Sequence, residues 1–300
     1  MSKNSVWTNE TDTLNIITDY IGSGGLNRVY FNIGAELFDG FSVGATTNMI
    51  FGTLKERSDL WSDEPDFINR RDERLYTVKD FSFDAGVQYQ MSIEDKQLIF
   101  GATYSPKANL NASNEGGIYT YNVANNFEYV ADSVYIDRVS STPLILPMSF
   151  GLGSSLGKEN HWFVSGEYEF KEWSKLSLFE SPEANLQNAS QFKVGAWIIP
   201  NNKDVHRYWK NIQYRVGVNY NTGSLATIES DNGTVKANLH DLSLSLGFGL
   251  PLKRSNTIAN IGVQFGKRGA VENNLVEEKY IKFHLAFTFN DKWFTKRKID

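Results

Sequence analysis

The 300-residue sequence contains no cysteine, which excludes a disulfide framework and a thiolate metal site. It has no run of about twenty apolar residues, so a helical membrane protein is also excluded. No basic start followed by an apolar core is present in the first twenty residues, so a signal peptide is not recognisable. The net charge of -5 gives no sign of a nucleic-acid surface, and we expect no nucleic-acid partner.

A strict alternation of apolar and polar residues marks the segment 280–289. Its apolar members share one face of an extended strand, whereas the residues between them are mostly polar. A strand of this kind separates an apolar medium from water. The apolar residues are Ile281, Phe283, Leu285, Phe287 and Phe289.

The same alternation recurs along the chain and predicts about eleven strands, with no helical period between them. The interpretation is all-β. The predicted strands cover residues 26–38, 41–51, 81–89, 98–104, 144–152, 162–170, 192–198, 212–220, 242–250, 257–265 and 280–289.

The connections between these strands alternate strictly between short and long. The short links are 39–40, 92–97, 157–161, 200–211 and 251–256, and the long links are 52–74, 106–142, 171–190, 221–240 and 266–279. Short periplasmic turns and long extracellular loops are typical of a transmembrane antiparallel β-barrel. We therefore assign residues 26–294 to the barrel and 295–300 to a periplasmic tail.

The parity of the strands raises a question at the start of the chain. If the short turns lie in the periplasm, the eleventh strand ends in the periplasm, and the first of the eleven strands must then begin outside the cell. A closed barrel with both chain ends in the periplasm needs an even number of strands. Residues 1–25 are predicted to be an extracellular loop or the top of a preceding strand. We expect the sequence to be the C-terminal part of a longer precursor that carries a signal peptide upstream. The alternative is an eleven-strand assembly completed by another chain.

Several short motifs resemble the FadL-type outer-membrane transporters of hydrophobic compounds. They are Tyr-Ile-Gly-Ser-Gly-Gly-Leu-Asn-Arg-Val-Tyr at 20–30, Phe-Ser-Val-Gly at 41–44, Ile-Phe-Gly at 50–52, Gly-Lys-Arg-Gly at 266–269, the segment 278–280, and Asn-Asp-Lys-Trp-Phe at 290–294. The resemblance implies a bacterial outer-membrane barrel of about fourteen strands with an N-terminal plug. It also implies uptake of long-chain fatty acids or aromatic hydrocarbons, which are captured among extracellular loops and leave sideways through a gap in the wall. The plug and early strands would precede Met1, so no gate residue is assigned.

Apolar and basic residues of two long links are candidates for ligand capture. Binding pockets are generally apolar with a few polar anchors, and arginines can pair with a carboxylate head group. The competing interpretation is that these side chains pack the loops together over the barrel mouth. The candidates are Leu54, Leu60, Trp61, Phe67, Arg70, Arg71, Trp173, Leu176 and Phe179, with Lys55 and Arg57 as further anchors.

The polar faces of the strands predict a lumen with charges of both signs, which favours paired charges over an ion-selective ring. These residues are Arg28, Glu36, Asp84, Glu167, Glu169, Lys193, Arg215, Asp241, Lys282 and His284. Glycines share the same face and either leave space for a solute or plug, or permit bending and close packing of strands. They are Gly34, Gly44, Gly86, Gly101, Gly151, Gly195, Gly217, Gly247 and Gly262.

Catalytic and metal sites are not predicted. The four histidines lie on separate strands or turns, and Asp241 and Ser243 point to the face opposite His240. An acidic group at 59–73 makes calcium binding conceivable, but it matches no EF-hand spacing and is interspersed with basic residues. We predict no enzyme activity, cofactor or metal.

The predicted function is passive uptake of hydrophobic small molecules such as fatty acids. The expected partners are outer-membrane lipid and an apolar small-molecule ligand. The alternative is a FadL-like barrel that acts as a non-transporting component of an outer-membrane secretion or assembly complex and binds other outer-membrane proteins.

Overall fold

The protein is built almost entirely of β-strands. The computed structural model describes residues 2–9, 12–62, 67–124, 127–178, 181–182, 186–204, 206–225, 227–230, 233–236, 239–252, 257–269, 271 and 277–289. Two 3-10 helices, Trp173–Lys175 and Tyr208–Asn211, interrupt the strands. No helix in this described part is long and apolar enough to cross a membrane.

Eleven consecutive antiparallel strands form the barrel wall, which confirms the predicted fold class and strand count within the described residues. The strands of the wall are β2 Asp12–Phe38, β3 Phe41–Trp61, β4 Asn69–Ile93, β5 Lys96–Ser105, β8 Ser149–Lys158, β9 Trp162–Lys171, β12 Ala189–Ile198, β13 Gln213–Asn221, β16 Asp241–Pro251, β17 Ile258–Arg268 and β18 Glu278–Thr288. Each strand in this order pairs with the next one.

The remaining strands lie at the end of the wall that carries the long connections, which is the extracellular end in outer-membrane barrels. They are β1 Ser2–Asn9, β6 Ala108–Ala124, β7 Phe127–Leu146, β10 Ser177–Leu178, β11 Ser181–Pro182, β14 Thr227–Ser230 and β15 Gly233–Lys236.

The two faces of the wall differ in the way that the alternation predicts. Phe31 and Phe283 are 72% and 79% exposed, and so lie uncovered on the outer face. Such exposure of large apolar side chains fits a surface that contacts lipid hydrocarbon. The residues that alternate with these apolar side chains along each strand face inward and are small or polar, and Asn32 and His284 are examples.

Two long links that were expected to be irregular loops are strands instead. Residues 52–61 continue β3 and pair with the first part of β4, while 108–124 and 127–142 form most of the paired strands β6 and β7. The single strand predicted at 144–152 is divided between the end of β7 at Leu146 and the start of β8 at Ser149. Residues 12–25, assigned from the sequence to a loop or the top of a preceding strand, form the upper part of β2. Backbone groups above the membrane pair with their neighbours here, so the sheet extends outward. We call this part of β2, β3, β4, β6 and β7 the extracellular extension.

A shared irregularity lies where β2 and β3 leave the membrane belt. Gly24 and Gly52 have φ values of +98° and +147° on adjacent strands. A Cβ atom at Gly24 would collide with the carbonyl oxygen of Thr53. The two glycines therefore allow a local bend that other residues would oppose.

A small hydrophobic core lies on the inner side of the sheet at the base of the extension. Val78, Leu110 and Leu144 from three neighbouring strands are almost completely buried. Ile50, Tyr76 and Ala112 complete the cluster, and Leu54 packs against it. This core holds β6 and β7 to the barrel, because burial of each large apolar side chain contributes about 1.5–3 kcal/mol.

The two ends of the wall are single edges. Among the described residues, β18 pairs only with β17, and residues 20–38 of β2 pair only with β3. These edges carry the hydrogen-bonding groups at which further pairing can occur.

An arginine at Val194 tests the assignment of the outer face. Val194 is 58% exposed on the outer face, and the next residue, Gly195, faces inward with room for a side chain. We expect Val194→Arg to destabilise the barrel in lipid by about 2–4 kcal/mol, because it places a charge in hydrocarbon. Unfolding by urea in phospholipid vesicles measures this, with Gly195→Arg as the matched control. Equal loss of stability in both variants would contradict the assignment.

Candidate functional site

The inner wall of the barrel is lined by glycines that face one another across neighbouring strands. Gly34, Gly44 and Gly86 are consecutive cross-strand partners. Three further pairs are Gly101 with Gly153, Gly195 with Gly217, and Gly247 with Gly262. We call these nine residues the glycine rows. A lumen cavity of about 870 Å³ lies against the first two groups.

The glycine rows are not required by the packing of the wall itself. None of the nine residues has a positive φ. A Cβ atom added to any of them would meet its nearest neighbour at 3.4–4.0 Å, an ordinary van der Waals distance. Alanine would therefore fit the strands, and the distinct effect of glycine is to keep space free on the lumen side. This favours the interpretation that the glycines leave room for a solute or plug.

Part of the charge in the lumen is paired across strands, as the mixture of signs predicts. The Lys193 ammonium lies 3.2 Å from Glu167 and 3.4 Å from Glu169. On the far wall the Tyr280 hydroxyl donates to Asp241 at 2.9 Å. These pairs satisfy the polar groups of the wall and leave no ring of one sign at their level.

An aromatic surface and an arginine lie near the periplasmic end of the lumen. Phe163 and Trp197 are cross-strand partners whose rings stack with centroids 6.0 Å apart, and we call them the aromatic shelf. Arg215 is the next partner of Trp197 along the wall. Sequence reasoning placed Arg215 on the lumen face but missed the aromatic shelf. The signal was available in the inward parity of Phe163 and Trp197 on amphipathic strands.

The basic residues expected to anchor a ligand in the extracellular loops are largely engaged by carboxylates. Asp59 accepts hydrogen bonds from Nε of Arg57 at 2.8 and 2.9 Å and from Nε of Arg71 at 2.9 Å. Nη2 of Arg71 also lies 2.8 Å from Glu128 on β7. We call these four residues the Asp59 cluster. Arg71 lies in addition over the ring of Tyr121 at 4.6 Å.

The other basic candidates differ in their surroundings. Lys55 pairs with Glu73 at 2.8 Å. Arg70 is exposed and lies opposite Leu60 on the neighbouring strand.

The apolar candidates lie in three separate places. Leu54 packs against the core at the base of the extension, and the Trp61 indole donates to Asp19 at 2.9 Å. Phe67 is half-buried just before β4 begins. In the described part of the chain, no single cavity brings these residues together with the candidates of the second link.

The second predicted loop contributes to a polar cavity at the extracellular end of the lumen. Trp173 lines this cavity of about 240 Å³, whose walls include Glu169 and Arg268. Leu176 is half-buried just after the first 3-10 helix. Phe179 lies outside the described residues. Ligand capture by these loop residues stays a prediction.

The surroundings of Asp59 determine its protonation. Its side chain is only 8% exposed. Burial raises the pKa of this carboxyl, but the hydrogen bonds from Arg57 and Arg71 outweigh burial, so the pKa lies below its ordinary value of 3.8. The carboxylate is therefore charged at neutral pH and holds the two arginines of the extension in place.

Comparison with protein-family models matches residues 3–300 to BamG. The chain belongs to the BamG family. No curated protein sequence matches this BamG-family chain.

Solved structures similar to this BamG-family chain include a channel, a transporter and a FadL homologue. The CymD monoaromatic hydrocarbon channel is 16% identical, with a TM-score of 0.54 over 95% of this chain and 81% of that one. The Ralstonia pickettii toluene transporter TbuX is 12% identical, with a TM-score of 0.52 over 94% and 78%. A Pseudomonas aeruginosa FadL homologue is 14% identical, with a TM-score of 0.51 over 89% and 64%. The resemblance to FadL-type proteins is confirmed at the level of the fold.

Removal of the Asp59 charge tests the role of the Asp59 cluster. We expect Asp59→Asn to destabilise the extension by about 2 kcal/mol at pH 7, since it leaves two partly buried arginines with Glu128 as their one remaining carboxylate partner in the cluster. Because the folded pKa is lowered, this stabilisation is present above the ordinary pKa of 3.8 and is lost as pH falls through the folded value. Hydrogen exchange of peptides from β3 and β4 in wild type and variant, at pH 7 and at pH 2.5, measures both effects.

The matched control is Asp72→Asn. Asp72 lies on the same extension, but its side chain is 29% exposed and is 3.5 Å from Arg74. We expect a much smaller effect on exchange, because exposed ion pairs contribute about 0–1 kcal/mol. Equal exchange in the two variants at pH 7 would show that the Asp59 cluster does not hold the extension together.

Proposed function

We propose that this protein is an outer-membrane conduit for the passive uptake of hydrophobic small molecules. The observation that carries the proposal is the set of glycine rows, which keep the lumen side of the wall free although the strands themselves would accept alanine. A wall with only a structural role has no need of such space. The proposed role is transport without catalysis.

The chemistry of the wall supports this class of solute. The lumen offers an apolar surface in the aromatic shelf, beside small uncharged side chains. Aromatic and aliphatic compounds gain free energy by leaving water for such surfaces. The lipopolysaccharide surface resists apolar solutes, and water-filled pores serve them poorly. The names of the similar structures, a hydrocarbon channel and a toluene transporter, agree with this class of cargo.

The outer face of the wall supports a location of this protein in a membrane. A continuous belt of exposed apolar side chains requires lipid, and the short and long connections orient the barrel as in a bacterial outer membrane. We propose integral insertion in that membrane, with lipid as the partner of the belt.

A bulky residue in the glycine rows tests the uptake function. Gly86 faces the lumen cavity, while its neighbour Ala85 faces lipid. We expect Gly86→Phe to lower the uptake of radiolabelled toluene and oleate by intact Gram-negative cells at least about five-fold, because the ring occupies the lumen. Ala85→Phe is the matched control and should leave uptake unchanged.

Both variants must reach the same level in the outer membrane for the comparison to hold. Surface labelling and resistance of the folded barrel to SDS measure this level. Unchanged uptake in a correctly inserted Gly86→Phe variant would contradict the conduit.

A second candidate function is supported by a different observation. Val130 and Val134 on β7 are 65% and 64% exposed, and Phe127 lies beyond them at the end of the extension. Ser133, the residue before Val134, pairs with Tyr119, and Tyr119 pairs with Arg71 of the extracellular extension. Val134 therefore lies well above the apolar belt of the barrel. Lipid does not reach this surface, and exposed apolar patches are typical of protein interfaces. The alternative role is therefore a non-transporting component of an outer-membrane secretion or assembly complex.

Charged substitutions on β7 separate the two functions. We expect Val130→Glu with Val134→Glu to remove any stoichiometric partner from native mass spectra of the protein extracted from its own membrane, while uptake is unchanged. Asp132→Asn on the same strand is the control. Retention of a partner in the double variant would exclude β7 as its binding surface, and apolar adducts without any partner in wild type would favour uptake.

A further inference from the structure

The periplasmic half of the lumen wall between β12 and β18 carries positive charge without acidic neighbours. Arg215 and the imidazole of His284 point into the lumen there, and Lys282 occupies the next inward position of β18 toward the extracellular end. In this half of the described wall every other inward position is uncharged, and the acidic residues Asp241 and Glu278 lie at the extracellular ends of their strands. This arrangement differs from the paired charges around Lys193.

Arg215 has a neutral side chain, and not a carboxylate, as its hydrogen-bond partner. Its guanidinium donates to the Gln213 side chain at 2.6 Å, and in the described part of the chain no carboxylate lies within 4.0 Å of it. The side chain lies across Gly247 and Gly249, where an added Cβ would meet it at 3.6 and 3.0 Å respectively. The two glycines therefore form a floor that keeps the guanidinium free for other contacts.

The residues around Arg215 form an ordered row across the wall. The consecutive cross-strand partners are Phe163, Trp197, Arg215, Gly247, Gly262 and His284. Neighbouring strands are about 4.8 Å apart, so the aromatic shelf lies about 5–10 Å from the Arg215 backbone along the wall, and the guanidinium lies one strand further away, over Gly249. On the other side, two glycines leave a trough between Arg215 and His284. A cavity of about 310 Å³ occupies this trough.

A polar acceptor completes the trough. Asn260 is the cross-strand partner of Gly249, over which the Arg215 guanidinium lies. Its Nδ2 donates to Thr288 at 3.0 Å, while its Oδ1 is buried and has no hydrogen-bond partner among the described residues. A buried acceptor without a donor is unfavourable, and a ligand hydroxyl or a bound water can supply one.

We propose that this row binds a small amphipathic carboxylate at the periplasmic end of the lumen, with its carboxylate on Arg215 and its apolar group on Phe163 and Trp197. Arginine binds carboxylates through paired N–H donors, and the aromatic shelf offers a face for stacking. The Arg215 guanidinium lies about two strand spacings, or about 10 Å, from Trp197, and this separation accommodates a ring or short chain with a linker of two or three carbons. The proposal rests on the uptake function above, and it narrows one class of cargo to short aryl or alkyl carboxylates.

Calorimetric titration of the purified full-length protein with 3-phenylpropionate tests the site. The neutral alcohol 3-phenylpropanol has the same ring and linker and serves as the probe without charge. We expect the carboxylate to bind wild type at least about ten-fold more tightly than the alcohol, since one charge-assisted pair contributes about that much. Arg215→Gln should abolish the difference, and Arg215→Lys should restore part of it.

Two further variants resolve the parts of the row. Trp197→Ala should weaken both probes, because it removes the stacking face and leaves the charge. Lys210→Gln removes a positive charge only five residues from Arg215, where Lys210 is paired with Asp204 at 3.0 Å outside the lumen. This control should bind both probes like wild type.

Three results of these titrations would contradict the proposed carboxylate site. Equal affinity of wild type for acid and alcohol, absence of binding of either probe, or full retention of carboxylate binding in Arg215→Gln would each exclude the site. Uptake of toluene, which has no charge, separates this result from the conduit function. Loss of carboxylate binding in Arg215→Gln with normal toluene uptake supports both proposals. Arg215-dependent binding without toluene uptake in wild type retains the site and removes the conduit.

Discussion

Hydrogen bonding of the backbone within hydrocarbon is the constraint on which the rest of this structure depends. Lipid offers no partner to a backbone N–H or C=O group, so each crossing strand must pair with its neighbours. The pairing from β2 to β18 meets this requirement at every junction between the eleven strands, while the outer edges of β2 and β18 stay open to further pairing among the described residues. Because side chains alternate strictly along a paired strand, the same register assigns every residue to lipid or to the lumen. The apolar belt, the glycine rows and the charged pairs are all consequences of that assignment.

The two ends of the barrel use positive charge in opposite ways. At the extracellular end Arg57 and Arg71 are held by Asp59 in a partly buried cluster, so their charge stabilises the extension. At the periplasmic end Arg215 lies over glycines beside an aromatic shelf, with a glutamine as its partner. A guanidinium whose N–H groups are bound to carboxylates has few donors left for a ligand, whereas one that lies over glycines has N–H donors available. This contrast moves the expected head-group anchor from the loops to the lumen.

Most of the wall was predictable from the sequence because alternation is a local signal. The segment 242–250, for example, corresponds to β16 within one residue at each end. The extracellular extension was not predictable in the same way. Residues 52–61 and 108–142 were expected to be irregular loops because they lie beyond the belt. Their strand structure depends on pairing with distant segments and on a core built from Val78, Leu110 and Leu144, which no single segment encodes.

The residues of the candidate sites show the same difference between what a local pattern predicts and what depends on tertiary structure. The sequence alone determined which residues face the lumen, including Arg215 and the glycines, because parity along a strand needs no knowledge of its neighbours. Only the tertiary structure decided which of them meet, since the register brings Phe163 and Trp197 beside Arg215 from three strands that together span about 50 residues of the chain. It also decided that Arg71 is bound to Asp59 and Glu128 and that glycine is not demanded by the wall. Contacts of this kind depend on distances across the sheet, and a linear pattern contains no such distances.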